Sequence, residues 1–476
     1  MKRKKQGNGI FLFFRGPRKE AKDYFSNFVP AGLFNILYYL LKNGYEPKLY
    51  NLSNFTEKDV SEIIKSLDIR LALISTFTGN HISSIKLAKT IKTFHKKSVT
   101  VLGGPFSLLA EEILARCLDI DFVVKGEGET ASLKLARFID GKEELRSVEG
   151  LSYRSNTGIV KNMTTLNPNI DDFFYLPSKI LPYCNFVQNE NFAVLITSRG
   201  CPYRCSFCSS PVLWQNKIRF HSINNLIEYI KDLKENLGQI YFSIRDDNFL
   251  MNQKRVLEFT KKFSETKLGM LWNTQGSVKF INDEVAYALA QSGCDQVQMG
   301  IESASERILH FFNKELDKVA VQKAISSLRK YLVRPFGYFI GGINETEKEA
   351  EETCNFIKNS GIIDGIISPL VIYPGTKLYK KSMADDFFSD KEIIYYSLHS
   401  YKKFKKTYLN ALEQALNKNS FTLNDVRSTH TTSFLKDITK FYCYLSAGDT
   451  KMAKKVLSEI GPKNIWYTKL ENDLKG

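Results

Sequence analysis

Twice along this chain of 476 residues, short apolar runs alternate with stretches of helical periodicity, and that alternation restricts the fold more than any single residue does. In the first array, strand-like runs at 9–14, 47–52, 71–75, 99–102 and 122–125 are separated by helical patterns at 31–41, 57–66, 81–95 and 105–117. Short strands joined through helices require right-handed crossovers. The pattern therefore predicts a flavodoxin-like, doubly wound parallel sheet whose ligands lie beyond the carboxyl ends of the strands. In the second array, strands are expected at 193–197, 239–244, 270–273, 296–300, 336–340 and 366–372, with Pro369 marking the last as an edge. Helical patterns at 223–237, 253–265, 283–291, 318–330 and 346–358 connect them. Six such units suit a partial (β/α)6 barrel with its site at the same end of the strands. The chain is thus α/β. It divides into an amino-terminal α/β domain (1–145), a connector (146–191) with a hairpin turning at 155–158, a partial barrel (192–380) and a helical carboxyl-terminal domain (381–476).

Chemistry concentrates after the first strand of the second array, in Ser198-Arg199-Gly200-Cys201-Pro202-Tyr203-Arg204-Cys205-Ser206-Phe207-Cys208. Three of the eight cysteines fall here, spaced C-x3-C-x2-C. Thiolates on so short a loop suit a metal or an iron–sulfur cluster, because the spacers let one loop reach three corners of a cube. Four cysteines are the rule for such a cluster, so three leave one iron open to a substrate or cofactor. The competing reading is a zinc or purely structural site. Zinc would call for a further C-x2-C or H-x3-H pair, and the sequence has none. Cys117, Cys184, Cys294, Cys354 and Cys443 are scattered singly, as buried small apolar residues usually are. An oxygen-sensitive cluster also calls for a reducing compartment, so a cytoplasmic location is expected.

The strand ends of the first array carry small and polar residues. Ser75-Thr76-Phe77-Thr78-Gly79-Asn80 follows the third strand, Gly103-Gly104-Pro105 the fourth, and Gly126-Glu127-Gly128-Glu129-Thr130 the fifth. Glycines admit a large flat ligand to the backbone, and each adjoining helix start offers free N–H groups. Taken alone, these loops fit a ligand site, and the competing reading is a structural or docking module.

The cysteine loop, with an aromatic residue before its third cysteine, resembles the signature loop of the radical S-adenosylmethionine (SAM) superfamily. A sheet with G-G-P and G-E-G-E after its fourth and fifth strands, placed before such a loop, resembles the cobalamin-binding domain of the cobalamin-dependent radical SAM enzymes. The likeness spans roughly residues 9–380. It implies that Cys201, Cys205 and Cys208 hold a 4Fe-4S cluster whose open iron chelates SAM, with Phe207 near the adenine. It further implies SAM contacts from Asp246 and Asp247 after the second barrel strand, though both are also good helix caps. Glu302 and Ser303 after the fourth and Gly341 after the fifth carry the same implication. After the third strand, where an arginine is frequent in the family, Gln275 or Lys279 is expected to take over. Ser75, Thr76, Gly103, Gly104, Gly126, Glu127, Gly128 and Glu129 are implied as the cobalamin cradle.

Two departures matter. Family members that ligate cobalt through histidine carry D-x-H-x-x-G; the nearest segment here, Gly79-Asn80-His81-Ile82-Ser83-Ser84, lacks the aspartate and the final glycine. Cobalamin without a histidine lower ligand is therefore expected, and loss of cobalamin fits the same departure. Gly341-Gly342-Ile343-Asn344-Glu345-Thr346 replaces the usual G-x-P-G-E-T.

The formal charge of +16 invites a nucleic-acid partner, but the lysines are spread along the chain and no nucleic-acid module is visible. No run approaches the ~20 apolar residues of a membrane span. The basic start at 1–5 leads into only a short apolar run and Arg15, not a signal-peptide cleavage site. The resemblance implies reductive cleavage of SAM to a 5′-deoxyadenosyl radical and, with cobalamin, methylation of an unactivated carbon. Cyclisation or ring rearrangement on the same two-domain frame is an alternative. So is tRNA or protein methylthiolation, although that family carries three cysteines in its amino-terminal domain where this chain has Cys117 alone. A non-enzymatic binding protein is the third. Expected partners are a small-molecule, lipid or peptide substrate and a one-electron reductant such as flavodoxin or ferredoxin. The tail, with amphipathic patterns at 393–416 and 434–460 rich in aromatics, reads as helices packing on the barrel or forming a substrate lid.

Overall fold

Strand β1 (Ile10–Phe14) is buried along its whole length, and its side chains alternate between two apolar clusters: Ile10, Leu12 and Phe14 join one, Phe11 and Phe13 the other. A strand apolar on both faces must be covered on both, which places it inside a parallel sheet flanked by helices. In the computed structural model, which describes residues 9–17, 28–186, 192–389, 391–429 and 431–475, β1 indeed lies between β2 (Lys48–Asn51) and β3 (Leu71–Ser75). The basic start at 1–5 lies outside the described residues. β4 (Val99–Gly103) and β5 (Phe122–Val124) continue the parallel array. The hairpin forms as β6 (Leu151–Ser155) and β7 (Gly158–Lys161), but it is not a free connector. β6 pairs antiparallel with β5 and extends the sheet to seven strands, covering what would otherwise be an open edge.

The second array is an open, six-stranded parallel sheet. Its strands are β8 (Val194–Leu195), β11 (Tyr241–Ile244), β12 (Leu271–Gly276), β13 (Cys294–Glu302), β14 (Arg334–Gly341) and β15 (Asp364–Pro369), and Pro369 ends the edge strand. The strand expected at 193–197 splits. After β8 the chain turns out of the sheet into β9 (Ser198–Arg199), which pairs antiparallel with β10 (Arg219–Phe220) in a separate ribbon. Helix Ile223–Leu237 begins where the Ser222 hydroxyl accepts from the Asn225 N–H and stops at Gly238 in the left-handed region. Its apolar stripe belongs to the same cluster as Ile10, Leu12 and Phe14 of β1, and Phe34 and Phe192 pack across the domain boundary with tilted rings whose centroids lie 4.6 Å apart. The two sheets therefore share one core.

The helix expected at 434–460 is two, Phe434–Ser446 and Thr450–Ile460, broken at Gly448 (φ 74°) and restarted by Asp449, whose side chain accepts from the Met452 N–H. Helix Leu398–Asn419 lies over β14: the Tyr401 ring would sit 3.2 Å from a Cβ at Gly341. The segment before it straps back over the first domain, where Phe387 and Ile394 enter the second apolar cluster and Arg116 pairs with Asp385. Among the described residues no helix is long and apolar enough to cross a membrane.

His81 is sealed beneath this strap. Its Nε2 lies 2.9 Å from the Phe387 carbonyl oxygen and its ring stacks on Phe106 at 4.4 Å. Burial lowers its pKa from 6.5 to about 4, the hydrogen bond to Phe387 only partly opposing the shift. His221 is lowered to about 4 as well, again chiefly by burial. The unfolded chain binds protons below pH 6.5 that the folded chain refuses, so the stability present above pH 6.5 is lost progressively towards pH 4. The thermal midpoint should fall across that window, and His81→Leu should shallow the slope, leaving the share that His221 carries.

Candidate active site

The turn that launches the cysteine loop is built on one carboxylate. Asp246, directly after β11, is 1% exposed and accepts from the Thr197 N–H (2.5 Å) and Oγ1 (2.5 Å) and from the Ser198 N–H (3.1 Å) and Oγ (2.7 Å). Those four bonds pull the chain out of β8 and into β9. They also engage both oxygens, so the Asp246 carboxylate, expected to meet SAM, borders neither cavity described below and braces this turn. Burial raises its pKa against the pull of the same hydrogen bonds. Gly200 follows at φ 101°, where a Cβ would stand 2.0 Å from the Lys217 carbonyl oxygen, so only glycine fits between ribbon and loop.

Beyond it, Cys201, Cys205 and Cys208 border a cavity of about 740 Å³ at the carboxyl ends of the barrel strands. Burial raises all three thiols, Cys201 to about 11 and Cys208 to about 12, and the neighbouring cysteines add to the rise on both. Among the described residues no trio of His, Cys, Asp or Glu closes to the distance of a single ion; a cube separates its ligands more widely than one ion does. The donor set fits a cluster, and binding it must expel thiol protons.

Around the same cavity stand Phe207, edge-on to Phe312 at 4.8 Å, and Gln275, whose Nε2 donates to the Asp246 carbonyl oxygen (2.7 Å). Glu302 joins them, held by Lys314 Nζ at 2.7 Å. Glu302 has φ 67°, a left-handed backbone uncommon for a side-chain-bearing residue, and it is the last residue of β13. Ser303 is turned away: its hydroxyl lies 3.2 Å from Thr353 Oγ1 and accepts from the Ser305 N–H. Gly341 is covered by Tyr401, and Phe339 and Ile340 border the cavity in its place. Sequence reasoning missed Gln298 and Tyr338, which meet at 2.6 Å, and Arg245, whose Nη1 donates to Gln298 Oε1 and lies 3.3 Å from Tyr338 Oη. The signal was there in part: Gln296, Gln298 and Glu302 are separated by even numbers of residues along β13, although a register shift between Gly300 and Glu302 interrupts the alternation.

A second cavity lies where the carboxyl ends of the first sheet face the barrel. Ser75, Gly103, Gly104, Gly126, Glu127, Gly128 and Glu129 border it from one side. Arg199, Trp214, Arg245 and Asp247 border it from the other. Thr76 does not; it is fully buried, its N–H donating to the Gly103 carbonyl oxygen. Leu73, Val101 and Val124 give an apolar floor. A Cβ at Gly32 would meet nothing within 4 Å, and one at Gly103 only the Val124 carbonyl at 3.9 Å, so both glycines leave open space where side chains would stand. Gly104 is forced by its turn, since at φ 90° its Cβ would lie 2.5 Å from the Thr76 oxygen. A glycine cradle over an apolar floor fits the flat face of a corrin. His81 lies beneath the strap, not on this cavity, and no histidine borders it among the described residues.

Glu127 and Glu129 hold arginines from the barrel instead of standing free towards a ligand. Arg199 donates to Glu127 (2.5 Å) and to Glu129, and Arg219 donates to Glu127 (2.8 Å). Burial alone would lower the pKa of Arg199; Glu129 and then Glu127 outweigh it and raise it above its usual range. Asp247 faces both cavities and accepts from the Gly200 N–H (3.2 Å) and Ser210 Oγ (2.8 Å). Burial raises its pKa against those bonds.

Comparison with known proteins points to the same two modules. Residues 195–357 match the family model of the radical SAM superfamily and residues 24–136 that of the B12 binding domain. An uncharacterised methyltransferase of Pyrococcus horikoshii is 32% identical over 338 residues, which cover 70% of this chain and 73% of that protein. The cytidylyl-2-hydroxyethylphosphonate methyltransferase of Streptomyces wedmorensis is 24% identical over 437 residues, 77% of this chain and 80% of that protein. The solved radical SAM methyltransferase TsrM of Kitasatospora setae shares the fold, with a TM-score of 0.65 at 15% identity over 77% of this chain and 73% of its own.

Asp246 and its neighbour make a sharp contrast for mutagenesis. Asp246→Asn keeps one acceptor oxygen but sets an NH2 group against two of the four buried donors, and should cost about 2–4 kcal/mol in urea unfolding. Asp247→Asn, facing the cavities, should shift stability by less than about 1 kcal/mol.

Proposed function

Because the chain belongs to the cobalamin-dependent radical SAM enzyme family, we propose that it methylates an unactivated carbon of a small-molecule, lipid or peptide substrate held where its two cavities meet. It is an enzyme that uses a 4Fe-4S cluster, SAM and cobalamin. The observation that carries the reading is that Asp247 borders both cavities, so one substrate position is within reach of a group in each. When bound, the cluster and the corrinoid supply one-electron cleavage of SAM and a transferable methyl group.

The roles of this chain follow from its walls. Cys201, Cys205 and Cys208 hold three irons. Phe207, Gln275, Asp247 and Glu302 bind and orient SAM, with the Lys314 contact fixing the Glu302 carboxylate. Ser75, Gly103, Gly104, Gly126 and Gly128 line the corrin cradle, and Gly103 leaves the open space that lets the corrin face approach the backbone. Arg245, Gln298 and Tyr338 form a polar screen across the barrel that positions the substrate, and Trp214 closes the wall against water. The single electron comes from a carrier such as flavodoxin or ferredoxin.

Protein reconstituted anaerobically should contain about four irons and, when reduced, convert SAM to 5′-deoxyadenosine. Cys208→Ala should abolish both. With hydroxocobalamin the wild type should show a stoichiometric corrinoid spectrum. Gly103→Leu fills the cradle and should weaken that binding about tenfold, in line with an overpacking cost of about 1–3 kcal/mol. Incubation with trideuteromethyl-SAM and a metabolite extract should yield a product carrying the intact labelled methyl group. SAM cleavage and corrinoid binding without any transferred label would refute methylation.

A further inference from the structure

Arg199 and Arg219 stand directly opposite each other in the β9–β10 ribbon, and this ribbon is the base from which the cysteine loop springs. Residues paired in this way project their side chains from the same face, and like charges so placed repel. Here both guanidinium groups are also buried, with side chains 8% and 9% exposed, so water cannot screen them. The ribbon has no acid of its own to set between them. The counter-charge comes from the other domain: Glu127 accepts from Arg199 through Oε1 and from Arg219 through both oxygens, while Glu129 takes the second arm of Arg199. The Asn167 N–H donates to Glu127 (2.7 Å) and its carbonyl accepts from Arg219 (2.7 Å), and Trp214 lies under both cations at 5.9 and 5.7 Å. Two arginines and two glutamates thus form a neutral quartet, and Gly200 between Arg199 and Cys201 is wedged against Lys217.

We propose that Glu127 is a positioning residue for the iron–sulfur cluster: from the amino-terminal domain it neutralises the facing Arg199 and Arg219 and so holds closed the ribbon that carries Cys201, Cys205 and Cys208. Glu127 belongs to the loop that borders the corrinoid cavity, so the same residue ties the shape of that cavity to the cluster loop. The inference rests on the reading of the cysteine loop as the cluster site. It differs from a corrinoid contact in one respect: the effect of removing Glu127 is felt at the cluster with no corrinoid present, and is relieved by removing the opposing charge.

The test uses the full chain reconstituted anaerobically without cobalamin, as wild type, Glu127→Gln and Glu127→Gln/Arg219→Met. Iron per chain, the rate of iron loss to a chelator, and the electron paramagnetic resonance signal of the reduced cluster are measured. Glu127→Gln should lose iron about tenfold faster than wild type and show an altered signal, because one partner of a buried ion pair is left uncompensated. The double variant, which keeps Arg199 with Glu129 and lets methionine rest on Trp214, should recover both readouts towards wild type. A Glu127→Gln protein indistinguishable from wild type overturns the proposal, and so does a double variant as labile as the single one. If Glu127→Gln alone does not fold, the double variant decides: soluble with wild-type iron supports the proposal, insoluble or iron-poor overturns it. Wild-type protein that binds no iron would instead contradict the cluster reading itself.

Discussion

The buried carboxylate of Asp246 is the fixed point of this molecule. A lone charge taken out of water is expensive, and it is tolerated here because four donors from residues 197 and 198 satisfy it. Those bonds decide where β8 ends and the ribbon begins, and hence where the cysteine loop starts. They also orient the neighbours. With Asp246 locked inward, Arg245 on one side borders the cavity of the first sheet and Asp247 on the other borders both cavities. One structural acid thereby sets the cysteine loop, the polar screen and the residue shared by both cavities.

Placing two parallel sheets with their carboxyl ends towards each other creates the rest of the site. Each sheet alone would offer a shallow crevice beyond its strands. The shared apolar core around Phe34 and Phe192 presses the crevices together, so the glycine loops of one domain are roofed by Ser198, Arg199 and Trp214 of the other. The strap that carries Phe387 back to the first domain seals the far side of the same sheet. Residues separated by hundreds of positions in the chain become walls of one enclosure.

Much of this was legible beforehand. Periodicity alone locates the parallel strands of both sheets and the order of the loops, because buried parallel strands and amphipathic helices impose contrasting spacings. The three cysteines and the glycine loops reach the cavities expected of them. What escaped depends on three-dimensional competition for the same oxygens. Asp246 and Asp247 are adjacent and chemically identical, yet one is consumed by Thr197 and Ser198 while the other is open to the cavities. Nothing in their spacing distinguishes them. Ser303 and Thr76 carry suitable hydroxyls, but local turns claim them first. Gly341 sits one residue beyond the stretch that borders the cluster cavity, because a tail helix lies over it. The hairpin joined a sheet instead of bridging two domains because β5 offered an unpaired edge.

Glu127 and Glu129 are the most instructive pair. Their place beside a glycine cradle suggests a ligand, and they do border that cavity, but their charges are spent on Arg199 and Arg219. Buried ion pairs are poor sources of stability, since desolvation offsets most of the Coulomb attraction and an apolar replacement of equal volume often does as well. Stability therefore does not explain why this interface uses four charged side chains where leucines would pack. Geometry does. An apolar contact between two domains tolerates small slides, whereas a guanidinium held by two carboxylates in fixed fork geometry does not. An arrangement that must hold a cluster loop and a corrin cradle at one mutual distance has use for that intolerance, and the charges lie on the two strands and the one helix start where a slide would change it.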